Sequence, residues 1–160
     1  MLKFDSKGFL KPCEPIPCTV SELKTQLVDG FDSVTRQINY DNYIRYSDQL
    51  KALLGGIKFK QWINGSFVTK KENPKDIDLV TFISHAEIKK LGHKLDIFRP
   101  EGSWLIYGVD AYIIEVHPAA SRSYTYFTEW DIAYWLNLFA QTRPNRRGQK
   151  QAKGFLEIIY

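Results

Sequence analysis

Two cysteines, Cys13 and Cys18, are all that the 160 residues contain, and each follows a proline. So few thiols exclude a disulfide scaffold, and two alone cannot complete a zinc site. No stretch approaches 18 consecutive apolar residues, which excludes a membrane-spanning helix. Met1-Leu2-Lys3-Phe4-Asp5-Ser6 lacks the apolar segment and cleavage site of a secretion signal, so a cytoplasmic protein with free thiols is expected. The three histidines, His85, His93 and His117, show no i, i+4 ligand spacing and read as surface or capping residues. Internal repeats and low-complexity segments are also missing. Charge of one sign is not in great excess either. The 22 basic residues exceed the 18 acidic ones by only four, too few to announce a nucleic-acid binder.

What is present is apolar: 44% of the residues are hydrophobic and 14% aromatic, enough for one substantial core in one domain. Residues 1–18 hold three of the seven prolines and read as an irregular lead-in, with a short strand near Lys7–Leu10. The single domain is expected to span residues 19–160. Thr19-Val20-Ser21-Glu22 has capping-box spacing and predicts a helix from Val20 to about Asp29, stopped by Gly30. Ile38, Tyr43, Ile44, Leu50, Leu53 and Leu54 trace the apolar face of a second helix, ended by Gly55-Gly56. Strands are expected over Ile57–Ile63 and Asp76–Ile83, with a helix begun by Ser84-His85-Ala86-Glu87 and ended by Gly92. Trp104–Tyr107 and Asp110–Val116 read as two strands joined at Gly108. A helix over Thr128–Ala140 should bury Ile132, Trp135, Leu138 and Phe139, and a last strand should cover Phe155–Tyr160. Mixed elements around one sheet predict an α/β or α+β sandwich whose strand order the pattern leaves open.

One stretch stands out. Gly65-Ser66 is followed, after nine residues, by Asp76-Ile77-Asp78-Leu79. On a strand, Asp76 and Asp78 would share a face while Ile77 and Leu79 turn to the core. Adjacent carboxylates repel, a cost that a divalent cation between them removes. A pair of ions needs a third acid from another strand. Asp110 is the candidate, beginning the run Asp110-Ala111-Tyr112-Ile113-Ile114-Glu115. Glu115, five residues on, would take the opposite face and is held in reserve. Gly65 lets backbone approach a phosphate closely, and Ser66 adds a hydroxyl and an amide. Thr69, Lys70 and Lys71 lie within reach of a triphosphate.

Arg143, Arg146, Arg147, Lys150 and Lys153 fall in eleven residues without an acid. Three readings stay open for them: a solvated loop, a clamp on nucleotide phosphates, or a landing site for RNA. Tyr124, Tyr126 and Trp130 could stack on a base if exposed, whereas Trp135 is read as core. Arg36 and Arg45 lie in the helical half.

Gly-Ser, nine to thirteen residues, then Asp-apolar-Asp-apolar resembles the signature of the nucleotidyltransferase superfamily that includes DNA polymerase β and the minimal nucleotidyltransferases. Together with Val109-Asp110-Ala111-Tyr112, the Trp135 helix and Lys153-Gly154-Phe155, it makes residues 15–160 similar to a small bacterial nucleotidyltransferase-like family. Asn64 departs from the pattern, standing where the superfamily has an apolar residue. The resemblance implies a mixed β-sheet nucleotidyltransferase fold flanked by helices, with the third acid on a strand after the intervening helix. It implies two Mg2+ ions, with Mn2+ as an alternative, on Asp76, Asp78 and Asp110. A nucleoside triphosphate would bind at Gly65, Ser66, Thr69 and Lys71, with Arg143, Arg146, Arg147 and Lys150 as RNA or phosphate contacts. It also implies transfer of a nucleoside monophosphate to a hydroxyl of RNA, tRNA or a partner protein. Toxin–antitoxin or phage-defence modules, with a cognate partner or a second copy of the chain, are the context such proteins suggest. The alternatives are a small-molecule, antibiotic-type adenylyltransferase and a non-catalytic nucleotide-binding module.

Overall fold

Helix caps organise the first half of the chain. Thr19 accepts a hydrogen bond from the Glu22 amide (3.1 Å) while the Glu22 carboxylate accepts one from the Thr19 amide (2.9 Å). This capping box opens α1, Val20–Leu27, which stops short of the expected Asp29. Ser33 caps α2, Val34–Leu54, by accepting from the Arg36 amide, so the helix starts before Ile38. The buried stripe of α2 is only partly the expected one. Tyr43, Leu50 and Leu54 are buried, but so are Arg36, Asn39 and Ser47, while Ile38 is exposed. Polar residues at helical spacing escape an apolar count. These are buried because each is bonded, Asn39 to the Pro74 carbonyl at 3.1 Å and Ser47 to the Gln61 side chain at 3.1 Å.

The computed structural model describes all residues, 1–160. Its main sheet holds five strands in the order β3-β7-β4-β5-β6: Pro15–Pro17, Phe155–Ile159, Lys60–Asn64, Asp78–Ser84 and Asp110–Val116. β4 runs antiparallel to both β5 and β7, whereas β5–β6 and β3–β7 are parallel pairs, so the sheet is mixed. Between β5 and β6 the chain crosses over through α3 (His85–Leu91), a 3₁₀ helix (Gly92–Phe98) and α4 (Pro100–Tyr107). Strand alternation divides the core. Ile63, Leu79, Ala111 and Leu156 pack with α1 and α2, while Trp62, Val80, Ile114 and Phe155 pack with Phe139 of α5, Trp130–Phe139. The molecule is a single α+β domain. No helix is long and apolar enough to cross a membrane.

Four expectations need correction. Residues 1–18 are not an irregular lead-in: β1 (Lys3–Phe4) and β2 (Leu10–Lys11) form a hairpin, and β3 joins the main sheet. The expected strand at Lys7–Leu10 is instead mostly that hairpin's turn. Prolines hide β3 from a sequence reading, yet they suit an edge strand bonded on one side. Trp104–Tyr107 is helical, because a short apolar run has no period of its own and Pro100 begins the turn that Gly108 closes. Finally, the expected helix over Thr128–Ala140 is divided, a π-helix at Tyr124–Glu129 preceding α5, and one of the four expected core residues lies outside its buried face. Phe139 is buried, Ile132 and Trp135 are half-buried, and Leu138 is exposed.

Candidate active site: a carboxylate cleft beside β4, β5 and β6

The pairing register brings the acids together. Asn64 on β4 lies opposite Asp78 on β5, and Asp78 lies beside Asp110 on β6. The three form one row across three strands. Asp76 sits just before β5, and the Asp110 amide donates to the Ile77 carbonyl at 3.1 Å. Ile77 and Leu79 are fully buried, while Asp76, Asp78 and Asp110 border a cleft of about 1480 Å³. Glu115 is elsewhere, on the opposite side of β6 and against His85, so it does not join the acids.

Gly65 makes the row accessible. Its φ of 82° is in the left-handed region. A Cβ there would stand 1.9 Å from Asp78 Oδ2, so only glycine fits. The Gly65-Ser66 turn thus presses directly on the carboxylates.

The acids feel one another. Burial, then Asp76 and Asp110, push the Asp78 carboxyl up to about 6, against the pull of Arg143 and Lys153. Asp110 is raised by burial and by Asp76, and is drawn back by Arg143 and the Tyr112 hydroxyl. Such crowding is what a bound cation would relieve.

Lys153 is the residue that sequence reasoning undervalued. It is 5% exposed and donates to Asn64 Oδ1 at 2.6 Å and to the Gly65 carbonyl at 3.3 Å. Burial lowers its ammonium to about 8, partly offset by Asp78. Asn64, the departure from the superfamily pattern, is therefore the anchor of a buried cation. Gly154 beside it has no room for a side chain, since a Cβ would meet the Pro12 carbonyl at 2.2 Å.

Beneath the loop from Gly65 to Glu72 lies Arg36, fully buried. It donates to the carbonyls of Leu27, Phe67, Thr69, Lys71 and Glu72, and stacks 3.8 Å from the Phe31 ring. No carboxylate faces it. Burial lowers it to about 10, so it remains protonated at neutral pH. Thr69 has a shaping role as well: its hydroxyl donates to the Ser66 carbonyl (2.7 Å) and accepts from the Lys71 amide (3.1 Å). Ser66, Lys70 and Lys71 are left bordering the cleft, and the Lys70 amide is tied to Gly8 of the first hairpin at 2.9 Å.

The opposite wall is built by Tyr112, Tyr134 and the basic loop. Of the four predicted phosphate contacts, Arg143 and Lys150 border the cleft, whereas Arg146 and Arg147 do not. Arg45 reaches the Ile106 carbonyl (2.8 Å) instead of the cleft. Tyr126 and Trp130 are exposed but away from it, and Tyr134, which the sequence does not single out, takes the place at its edge.

A profile described as a family of unknown function (DUF6932) matches residues 2–159. The chain belongs to this family. No curated protein and no solved structure matches this DUF6932 member.

Proposed function

We propose that this DUF6932 protein is a metal-dependent nucleotidyltransferase, which moves a nucleoside monophosphate from a nucleoside triphosphate to an acceptor hydroxyl. The observation that carries the reading is the meeting of Asp76, Asp78 and Asp110 against the Gly65-Ser66 turn in one cleft. Asp78, its carboxyl pushed up by burial and then by two neighbouring acids, fits a cation-binding role better than a structural one. Two Mg2+ ions, or Mn2+ in their place, would neutralise the triphosphate and lower the pKa of the acceptor hydroxyl. Asp76 and Asp78 would hold both ions and Asp110 the one nearest the acceptor.

The chain's own groups supply position and charge. Gly65 and Ser66 would cradle the leaving phosphates, and Lys71, Arg143 and Lys150 would hold them from either wall. Lys153, fixed by Asn64, ties down the Gly65 carbonyl and so would hold the shape of the turn that cradles the phosphates. The acceptor oxygen bonds to the α-phosphorus as the bond to pyrophosphate breaks, and the hydroxyl proton leaves to solvent. Five lysines border the cleft besides Lys153: Lys7, Lys70, Lys71, Lys75 and Lys150. That rim favours a phosphate-rich acceptor such as RNA or tRNA over a cationic antibiotic. A hydroxyl on a partner protein, in a cytoplasmic toxin–antitoxin or phage-defence setting, is the second acceptor class.

Incubating the protein with each labelled triphosphate, Mg2+ and total tRNA or lysate tests the reading. Label should enter one acceptor class, and Asp78→Asn should lower transfer by at least about a thousandfold while the protein stays folded. Transfer by the variant at the wild-type rate, or none from any triphosphate, overturns it.

A further inference from the structure

At the far ends of β5 and β6, about 20 Å along the strands from the acids, a different set of ligating groups converges. His85 opens α3 directly after β5, and Glu115 and His117 flank Val116 at the end of β6. Alternation puts Glu115 and His117 on one face, and the pairing of Ser84 with Val116 brings His85 beside them. One ligand atom from each residue lies within 4.8 Å of the other two. His117 Nε2 is 3.7 Å from Glu115 Oε1, His85 Nδ1 touches the same oxygen, and the imidazole centroids are 4.5 Å apart. No lysine or arginine pairs with Glu115; the two histidines are its only ionic partners.

The backbone beneath is fixed independently. Thr128, fully buried in the π-helix, donates to the Glu115 carbonyl (3.0 Å) and accepts from the His117 amide (2.9 Å). One hydroxyl therefore fixes both Glu115 near the end of β6 and His117 just beyond it. Single π-turns of this kind are rare and gather at functional positions. The side chains of His85, Glu115 and His117 are 30%, 38% and 14% exposed, which leaves an ion a way in and a coordination position facing water.

We propose that His85, Glu115 and His117 form a metal site for one zinc-class divalent ion, separate from the carboxylate cleft and independent of nucleotidyl transfer. Two imidazole nitrogens and one carboxylate are a donor set for Zn2+, Co2+ or Ni2+ rather than for Mg2+, which prefers oxygen alone. Bonds of about 2.1 Å at tetrahedral angles separate ligand atoms by roughly 3.4 Å, close to the His117–Glu115 spacing, and His85 Nδ1 would exchange its direct contact with Glu115 for a bond to the ion. The ion would staple the end of β5 to the end of β6, with water completing its shell.

Cobalt is the probe, because its visible absorption reports nitrogen and oxygen ligation directly. The chelator-treated protein would be titrated with Co2+ in excess Mg2+, which would compete for the carboxylate cleft, and then with Zn2+. One Co2+ per chain should bind with a visible band that Zn2+ displaces. His117→Ala should weaken binding by at least about 100-fold, and Asp78→Asn should leave it unchanged. If His117→Ala fails to fold, Glu115→Gln, which keeps the side-chain shape, should still lose at least about tenfold. Absence of saturable Co2+ binding, or binding that survives both substitutions, overturns the site and leaves a His85–Glu115 hydrogen bond with the His117 ring packed beside it.

Discussion

The two walls of the cleft are held in opposite ways. The wall from Gly65 to Glu72 is drawn onto one buried guanidinium, and four of its carbonyls converge on Arg36. The wall from Arg143 to Lys150 is exposed throughout and held by its own turn. There, Asn145 and Gln149 exchange short-range bonds, and the Thr142 amide reaches the Gln151 carbonyl at 2.9 Å. A buried cation without a carboxylate is costly unless every donor is used, so the first wall has one arrangement available to it. Little opposes rearrangement of the second. Under the nucleotidyltransferase reading the rigid wall suits the invariant part of the reaction, the triphosphate and its ions. The adaptable wall then meets the acceptor.

The contrast breaks most strongly at Arg36. Arg36→Ala would orphan buried carbonyls and should cost at least about 4 kcal/mol, read as a shift in the urea midpoint. Single alanine substitutions from Arg143 to Lys150 should stay within about 0.5 kcal/mol in the same assay. Equal shifts for the two walls would erase the distinction.

A smaller effect comes from pH at the carboxylates against which the rigid wall rests. Because the Asp78 carboxyl is raised to about 6, the folded protein holds that proton more tightly than the unfolded chain does. Burial of the carboxylate, with the charge of Asp76 and Asp110 beside it, therefore lowers stability above about pH 6, and stability returns as pH falls through that value. In metal-free buffer Asp78→Asn should melt higher than wild type at pH 7.5 and equally at pH 4. Added Mg2+ should raise the melting temperature of the wild type only. Identical melting of the two proteins at both pH values would mean that neither burial nor the neighbouring acids act on Asp78.

The smallest effect concerns the adaptable wall and a polyanion. Arg143→Ala with Lys150→Ala should flatten the salt dependence of single-stranded RNA binding by about 1.4 in log–log slope, the loss of two phosphate contacts. Arg146→Ala with Arg147→Ala, outside the cleft, should change the slope less. A larger change from the second pair would move the acceptor path out of the cleft.

Local chemistry was the legible part of this chain. Thr19 and Ser84 cap α1 and α3 as their spacing predicts, and Gly92 closes α3. Strand alternation sets Asp110 beside Asp78 and Glu115 on the other face of β6, whereas Asp76 precedes β5 and is not placed by alternation. What escaped depends on partners distant in sequence. Lys153 meets Asn64 across 89 residues, and Arg36 meets the loop across 31 to 36. Neither pair has a local pattern. His85 and His117 escaped for the same reason, since a parallel crossover rather than i, i+4 spacing brings them together. Trp104–Tyr107 misled for a different reason: four apolar residues in a row are compatible with either element.

The position of β7 has a consequence for how the protein is made. Although it comes last in chain order, it lies between β3 and β4. A nascent chain on the ribosome cannot join its first strand to the rest of the sheet until residues 155–159 emerge. A product terminated before Phe155 would lose that bridge, and β4 would present an unbonded, aggregation-prone border. Residues 155–159 thus act as the keystone of the sheet, concealing the border of β4 and that of β3 at once.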